Sequence, residues 1–337
     1  MKFISKFLSL LLLVTIFSCT NKDNKSEKFQ NRRNKIVNVR DKVKGIQVEN
    51  VIFSGKTRLY IINDYLIISD LKAVDKIIHL FNKNDFKYLT STCYVGQGPD
   101  EITIMGCIGL DEKNRKFYVT DHGKNQVFSY ALDSVLINPF YTPEVKLKLN
   151  PKQFMDKYQY FNDTLSIGRI IEPTGNQGFK QKTAKWNMKT GEIVHMKYEH
   201  SPINKKRINV AANEKEGLYV ECYSYNDLIT ICDFNGNLLY NIYGPSWNES
   251  ETNKTQYFGE VAFCGNKIIT SYLGKDTFGK YNQATEFIVL DLKGDYLMTL
   301  NIGYNIEGFC YDKENNRIIM SLNDDIQFGY IDLDGII

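Results

Sequence analysis

The sequence predicts an all-β chain, a six-bladed β-propeller closed by an N-terminal strand, on three observations. A strand motif recurs about every fifty residues. Polar Asn, Asp and Gly turns separate short β-branched or alternating runs. No long stretch carries a helical period.

The recurring strand appears at Tyr65–Asp70, Phe117–Asp121, Leu165–Ile167, Leu218–Glu221, Lys267–Ser271 and Arg317–Ser321, in steps of 48 to 53 residues. A second run follows each time, at Lys76–Phe81, Gln126–Leu132, Thr183–Met188, Leu228–Phe234, Thr285–Leu292 and Ile326–Leu333. Turns such as Asn235-Gly236-Asn237 and Lys293-Gly294-Asp295 come next, where Gly and Asn accept the positive φ of tight hairpins. Six four-stranded units of about fifty residues match propeller arithmetic, because a blade hides both faces only between two neighbours. The sixth repeat reaches Ile337 one strand short. The apolar segment Ile46–Phe53 is the candidate to supply it, paired beside Ile326–Leu333 and covering an open edge. The expected propeller domain is therefore 46–337.

The N-terminus has a different texture. Lys2 and Lys6 precede the apolar stretch Phe7–Phe17, too short to span a bilayer but suited to a signal peptide over residues 1–18. It ends in Ile16-Phe17-Ser18-Cys19, which resembles a bacterial lipobox and marks Cys19 for lipidation. Acyl chains there would hold the protein on a membrane. Residues 19–45 are polar and charged, and read as a flexible tether.

Charge separates along the chain. Residues 1–45 hold eleven basic and three acidic side chains, leaving 31 basic and 36 acidic of the totals of 42 and 39. A body carrying about −5 is not built to neutralise phosphates, so nucleic acid is not an expected partner. The six cysteines after Cys19 lack CxxC or His-flanked spacing, against a zinc site. Cys222 and Cys232 fit either a hairpin disulfide or small buried apolar groups.

One motif is distinctive: Gly96-Gln97-Gly98-Pro99-Asp100-Glu101, a Gly-x-Gly-Pro-x-Glu element between the first two repeats. With the lipobox and six repeats, the chain resembles the TolB-like six-bladed propeller lipoproteins of Gram-negative gut anaerobes. The resemblance implies the fold and an envelope location, and little about ligands; the expected place is the outer membrane, as a lipoprotein whose body faces the periplasm or the cell surface. The element is no phosphate loop, lacking a Gly-Lys-Ser/Thr ending and a following helix. Glu101 either satisfies nearby backbone N–H groups or contacts a ligand.

In a propeller, the blade connectors share one face with the loops between second and third strands. That face would carry Gly96, Gln97, Gly98, Pro99, Glu101 and His122, with long loops at Ile171–Lys182 and Tyr272–Ala284. Long loops on a rigid scaffold are where binding residues gather. Tyr272, Phe278 and Tyr281, with Trp247 nearby, offer aromatic surface for a sugar or for packing. No hydrolase elbow, zincin helix or EF-hand loop occurs. The expected function is a membrane-anchored, non-catalytic binding module for an envelope protein or glycan, without a cofactor. The alternative is a calcium-dependent hydrolase or lyase with Glu101, Asn209, Glu260 and Glu307 converging on the central channel.

Overall fold

The computed structural model describes residues 26–337 except 139, 176–177, 202, 204, 250–254 and 277–282. The signal peptide and Cys19 lie outside the described residues. Six antiparallel blades follow one another around a central channel. In blade 1 the strands run from the channel outward as Thr57–Ile62, Tyr65–Asp70, Lys76–Asn82 and Tyr88–Tyr94. The inner strands of blades 2 to 5 are Met105–Asp111, Phe154–Asn162, Ile208–Asn213 and Thr255–Cys264. Every recurring strand of the sequence is the second strand of its blade. It reads most clearly because it is covered on both faces: in Tyr65–Asp70 all residues but the first are buried.

Between blades 5 and 6 no loop intervenes. One strand, Tyr296–Asp312, closes blade 5 with its first half and opens blade 6 with its second. It turns the corner at Gly303, whose φ of +69° a side chain would resist. Arg40 lies against that glycine where a Cβ would stand.

The segment expected to be a tether is part of the body. Glu27–Phe29 adds a parallel fifth strand to blade 4, pairing with Asn241–Tyr243. Ile36–Asn38 does the same on blade 5, pairing with Thr299–Asn301. Val39 is fully buried in the core between blades 5 and 6. Backbone pairing at a sheet edge asks nothing of composition, so a charged segment serves as well as an apolar one.

The fourth strand of blade 6 also comes from this segment. Lys44 and Gly45 pair with Tyr330 and Gly329, and the Ile46 amide donates to the Phe328 carbonyl at 2.8 Å. The expected donor, Ile46–Phe53, forms no strand. Its apolar residues Ile46, Val48, Val51 and Phe53 pack instead against Phe328 and Ile319 of blade 6 and Leu59 of blade 1. The expected pairing was therefore displaced by about a strand's length, because a buried crossover and a half-buried strand carry the same apolar pattern.

Polar groups pin the seam between blades 6 and 1. Lys83, 2% exposed, places Nζ 3.6 Å from Asp312 Oδ1 and 2.5 Å from Glu314 Oε2. Arg317 Nε donates to Asp312 Oδ2 at 3.0 Å. All six cysteines after Cys19 are free, and Cys222 and Cys232 lie opposite Ile229 and Tyr219 rather than each other. Among the described residues no helix is long and apolar enough to cross a membrane.

Candidate functional site

The connector face is organised by aspartates that end second strands. Asp121, fully buried, accepts the amides of Thr103 (2.9 Å), Ile104 (3.0 Å), Gly123 (2.8 Å) and Lys124 (3.2 Å). Asp70 does the same work in blade 1, accepting from the amides of Ser54 (2.7 Å) and Lys72 (3.0 Å). Each carboxylate thus ties the connector entering its blade to the loop leaving its second strand. The sequence showed these residues as strand ends only.

The Gly-Pro element folds onto itself. Glu101 Oε2 accepts the Gly98 amide at 2.7 Å, and a Cβ on Gly96 would collide with that carboxylate. Thr103 Oγ1 donates to the Gly96 carbonyl at 3.0 Å, and Lys124 Nζ donates to the Glu101 carbonyl at 2.6 Å. Gln97 and Pro99 remain exposed on the outside of this knot. Glu101 thus satisfies a backbone N–H of its own connector, and it does not line the channel. His122 follows Asp121, its ring 4.6 Å from Phe154, with both ring nitrogens buried and unpaired. Burial holds its pKa below the usual histidine value.

Tyr272 is half-buried, packed 5.3 Å from Phe258 beneath the Arg33 guanidinium, so it belongs to the seam below the N-terminal segment. Trp247 packs on Tyr243 and His200. Phe278 and Tyr281 lie outside the described residues. The expected long loop of blade 3 is a hairpin paired as far as Gly175 and Gly178, while residues 277–282 of the blade 5 loop lie outside the described residues. The second strand of blade 3 extends over Leu165–Gly175 and that of blade 5 over Lys267–Asp276, eleven and ten residues against six in each of the other blades.

The channel has a volume of about 1410 Å³ and is lined by all six inner strands. Near the connector face its wall carries Arg58, Lys157, Asn209, Glu260 and Glu307, one or none from each blade. Arg58 Nη1 donates to the Gly106 carbonyl of the next blade at 2.6 Å, and its guanidinium makes no ion pair among the described residues. Lys157 of blade 3 contacts the Glu260 carboxylate of blade 5, an ion pair reaching past blade 4. Burial, with Arg169 and Arg58 adding like charge, draws the Lys157 ammonium down to about 7, and the Asp156 carboxylate opposes that shift. Burial raises the Glu307 carboxyl.

Asp156 and Arg169 stand beside Lys157. Burial would push the Asp156 carboxyl up, but the Arg169 guanidinium outweighs it and the pKa falls. Arg169 Nη1 also donates to the Ile208 carbonyl of blade 4 at 2.5 Å. Three of the four expected calcium ligands therefore do line the channel, but they do not converge. Among the described residues no three acidic, histidine or cysteine side chains gather. A calcium ion takes six to eight oxygens. A wall in which Arg58 and Lys157 stand among only two carboxylates, Glu260 already held by Lys157, does not fit it.

The sequence missed Arg58, Lys157 and Arg169. Each stands alone in its own strand, and only closure of the ring brings them together.

The fold and mouth define a six-bladed β-propeller with a polar channel. A family model described as a 6-bladed beta-propeller, DUF5128, matches residues 48–169. A crystal structure of a DUF4221 family member from Bacteroides vulgatus is similar, with 12% identity and a TM-score of 0.54 over 86% of this chain and 94% of that one. A protein described as exported from Bacteroides fragilis shows 10% identity and a TM-score of 0.56, over 90% and 98%. A luciferin-regenerating enzyme shows 10% identity and a TM-score of 0.56, over 86% and 94%. At such identity these likenesses concern the fold alone. No curated protein matches the sequence.

Proposed function

We propose that the chain is an exported lipoprotein of the bacterial outer membrane, cut before Cys19 and anchored by acyl chains on it. Its propeller is a non-catalytic binding module for an envelope protein or glycan. The lipobox-like Ile16–Cys19 supports the anchor, and similarity to a protein described as exported agrees with it. Resemblance to the TolB-like lipoproteins points the same way.

One observation carries the binding half. The second strands of blades 3 and 5 are longer than those of the other blades by five and four residues, roughly 15 Å at ~3.3 Å per residue, on the face where Arg58 and Lys157 line the mouth. Two raised walls around a polar funnel suit a partner's projecting loop or a sugar chain. The partly buried Arg58 guanidinium has a carbonyl but no ion-pair partner among the described residues, and it is further stabilised when an anionic or hydroxylated group reaches it.

Two experiments test the reading. Cys19→Ser should release the protein from membranes, and continued sedimentation with them would refute the anchor. Capture of partners from the native envelope should fail when both hairpins are shortened to two-residue turns, and fall at least tenfold in Arg58→Ala. Unchanged capture by both variants would refute the face.

A further inference from the structure

The N-terminal segment does more than brace the ring. Its backbone is fixed from Ser26 onward, where the Ser26 carbonyl accepts the Asn241 amide at 2.7 Å. Six residues lie between Cys19 and Ser26, a span of seven Cα-to-Cα steps. At roughly 3.5 Å each they reach at most about 25 Å. An anchor on Cys19 therefore holds the outer edge of blade 4 against the membrane surface and cannot let the body swing away.

That edge has the chemistry of a membrane contact. Phe29 and Ile36 are 65% and 57% exposed although both sit in paired strands, with one face of the Phe29 ring stacked on Tyr243 at 4.7 Å and the rest open. Around them Arg32, Lys35 and Lys42 are exposed. Lys22 and Lys25 lie in the short link to Cys19. The rest of the molecule carries about −5, so this strip is where an anionic surface would be attracted rather than repelled. Stable membrane attachment commonly joins acyl chains to a basic and apolar patch, each basic side chain acting within a Debye length of the headgroups.

We infer that the outer edge of blades 4 and 5, formed by Phe29, Arg32, Lys35, Ile36 and Lys42, docks on an anionic phospholipid surface. The inference rests on the anchor at Cys19 for its biological setting. The surface itself is tested without the acyl chains. The mature chain from Thr20 to Ile337 is mixed with vesicles of phosphatidylcholine, with and without 30% phosphatidylglycerol.

The expected result is at least tenfold tighter binding to the anionic vesicles, weakened by salt. The triple variant Arg32→Glu, Lys35→Glu, Lys42→Glu should lose it, as should Phe29→Ser with Ile36→Ser, both with unchanged circular dichroism and melting. Equal binding to the two vesicle types, or variants that bind like the parent, would overturn the docking edge. A failed anchor shows separately, as a Cys19 without acyl mass in protein from the native envelope.

Discussion

Arg33 Nη1 lies 2.7 Å from Asp227 Oδ1, with the two side chains 6% and 0% exposed. Asp227 sits in the loop between the second and third strands of blade 4, and its other oxygen accepts the Ser246 amide at 3.1 Å. The guanidinium also lies 5.5 Å from the ring centres of Phe258 and Tyr272. A residue from the segment before the first blade thus occupies the seam between blades 4 and 5. Desolvating two charges is costly, and the pair is retained because either charge alone would cost more.

Removing one partner should therefore be severe. Arg33→Met or Asp227→Asn should each lower unfolding free energy by about 3–5 kcal/mol in urea titration. The double variant should cost less than the sum, since both changes delete one interaction. Additive losses would show that the two side chains act independently.

The Gly-Pro element makes a second prediction. Gly96→Ala displaces the Glu101 carboxylate and leaves the Gly98 amide unpaired, as does Glu101→Ala. Each should cost about 1–3 kcal/mol, and the pair little more than either. Loss of partner capture at full stability would instead make Glu101 a ligand contact.

His79 predicts a pH dependence. It is 7% exposed in the third strand of blade 1, with Nδ1 2.7 Å from Ser91 Oγ, and burial lowers its pKa to about 4. The unfolded chain takes up the proton near pH 6.5 while the folded chain resists it, so stability falls as pH drops from 6.5 toward 4. The loss is at most about 3 kcal/mol, from ~1.4 kcal/mol per pH unit over that window. His79→Leu should flatten the slope between pH 6.5 and 4 in denaturant midpoints. An unchanged slope would assign it to other groups.

The seam between blades 6 and 1 is predicted to be a weak point for substitution. Lys83→Met leaves Asp312 buried with Arg317 as its remaining cation and Asn315 as a neutral donor. It should lower the melting temperature by several degrees, from a loss of about 2–3 kcal/mol. A melting point within one degree of the parent's would show that Arg317 and Asn315 suffice.

Much of the ring was legible in the sequence because blade physics repeats. Ile67, Val119, Val220, Ile269 and Ile319 recur at one period since each must fill the same kind of gap between blades. The strip Glu27–Gly45 was not legible. Most of its side chains are solvated and its strands are tied by backbone hydrogen bonds, with only Arg33 and Val39 buried as anchors, so composition reports a tether. Ile46–Phe53 misled in the opposite sense, being apolar because it is a buried crossover. The channel mouth was half legible. Asn209, Glu260 and Glu307 follow from inner-strand position, whereas the partner that holds Glu260 is Lys157, 103 residues earlier in the chain.

Amide hydrogen exchange followed by mass spectrometry decides most directly whether residues 26–46 belong to the propeller. The Val39 amide donates to the Asn301 carbonyl at 3.0 Å, and the Thr299 amide to the Lys35 carbonyl at 2.9 Å. Peptides covering residues 36–46 and 296–302 should be protected together, and Arg33→Met should weaken both. Complete exchange of residues 26–46 within seconds, with the blades still protected, would contradict the account.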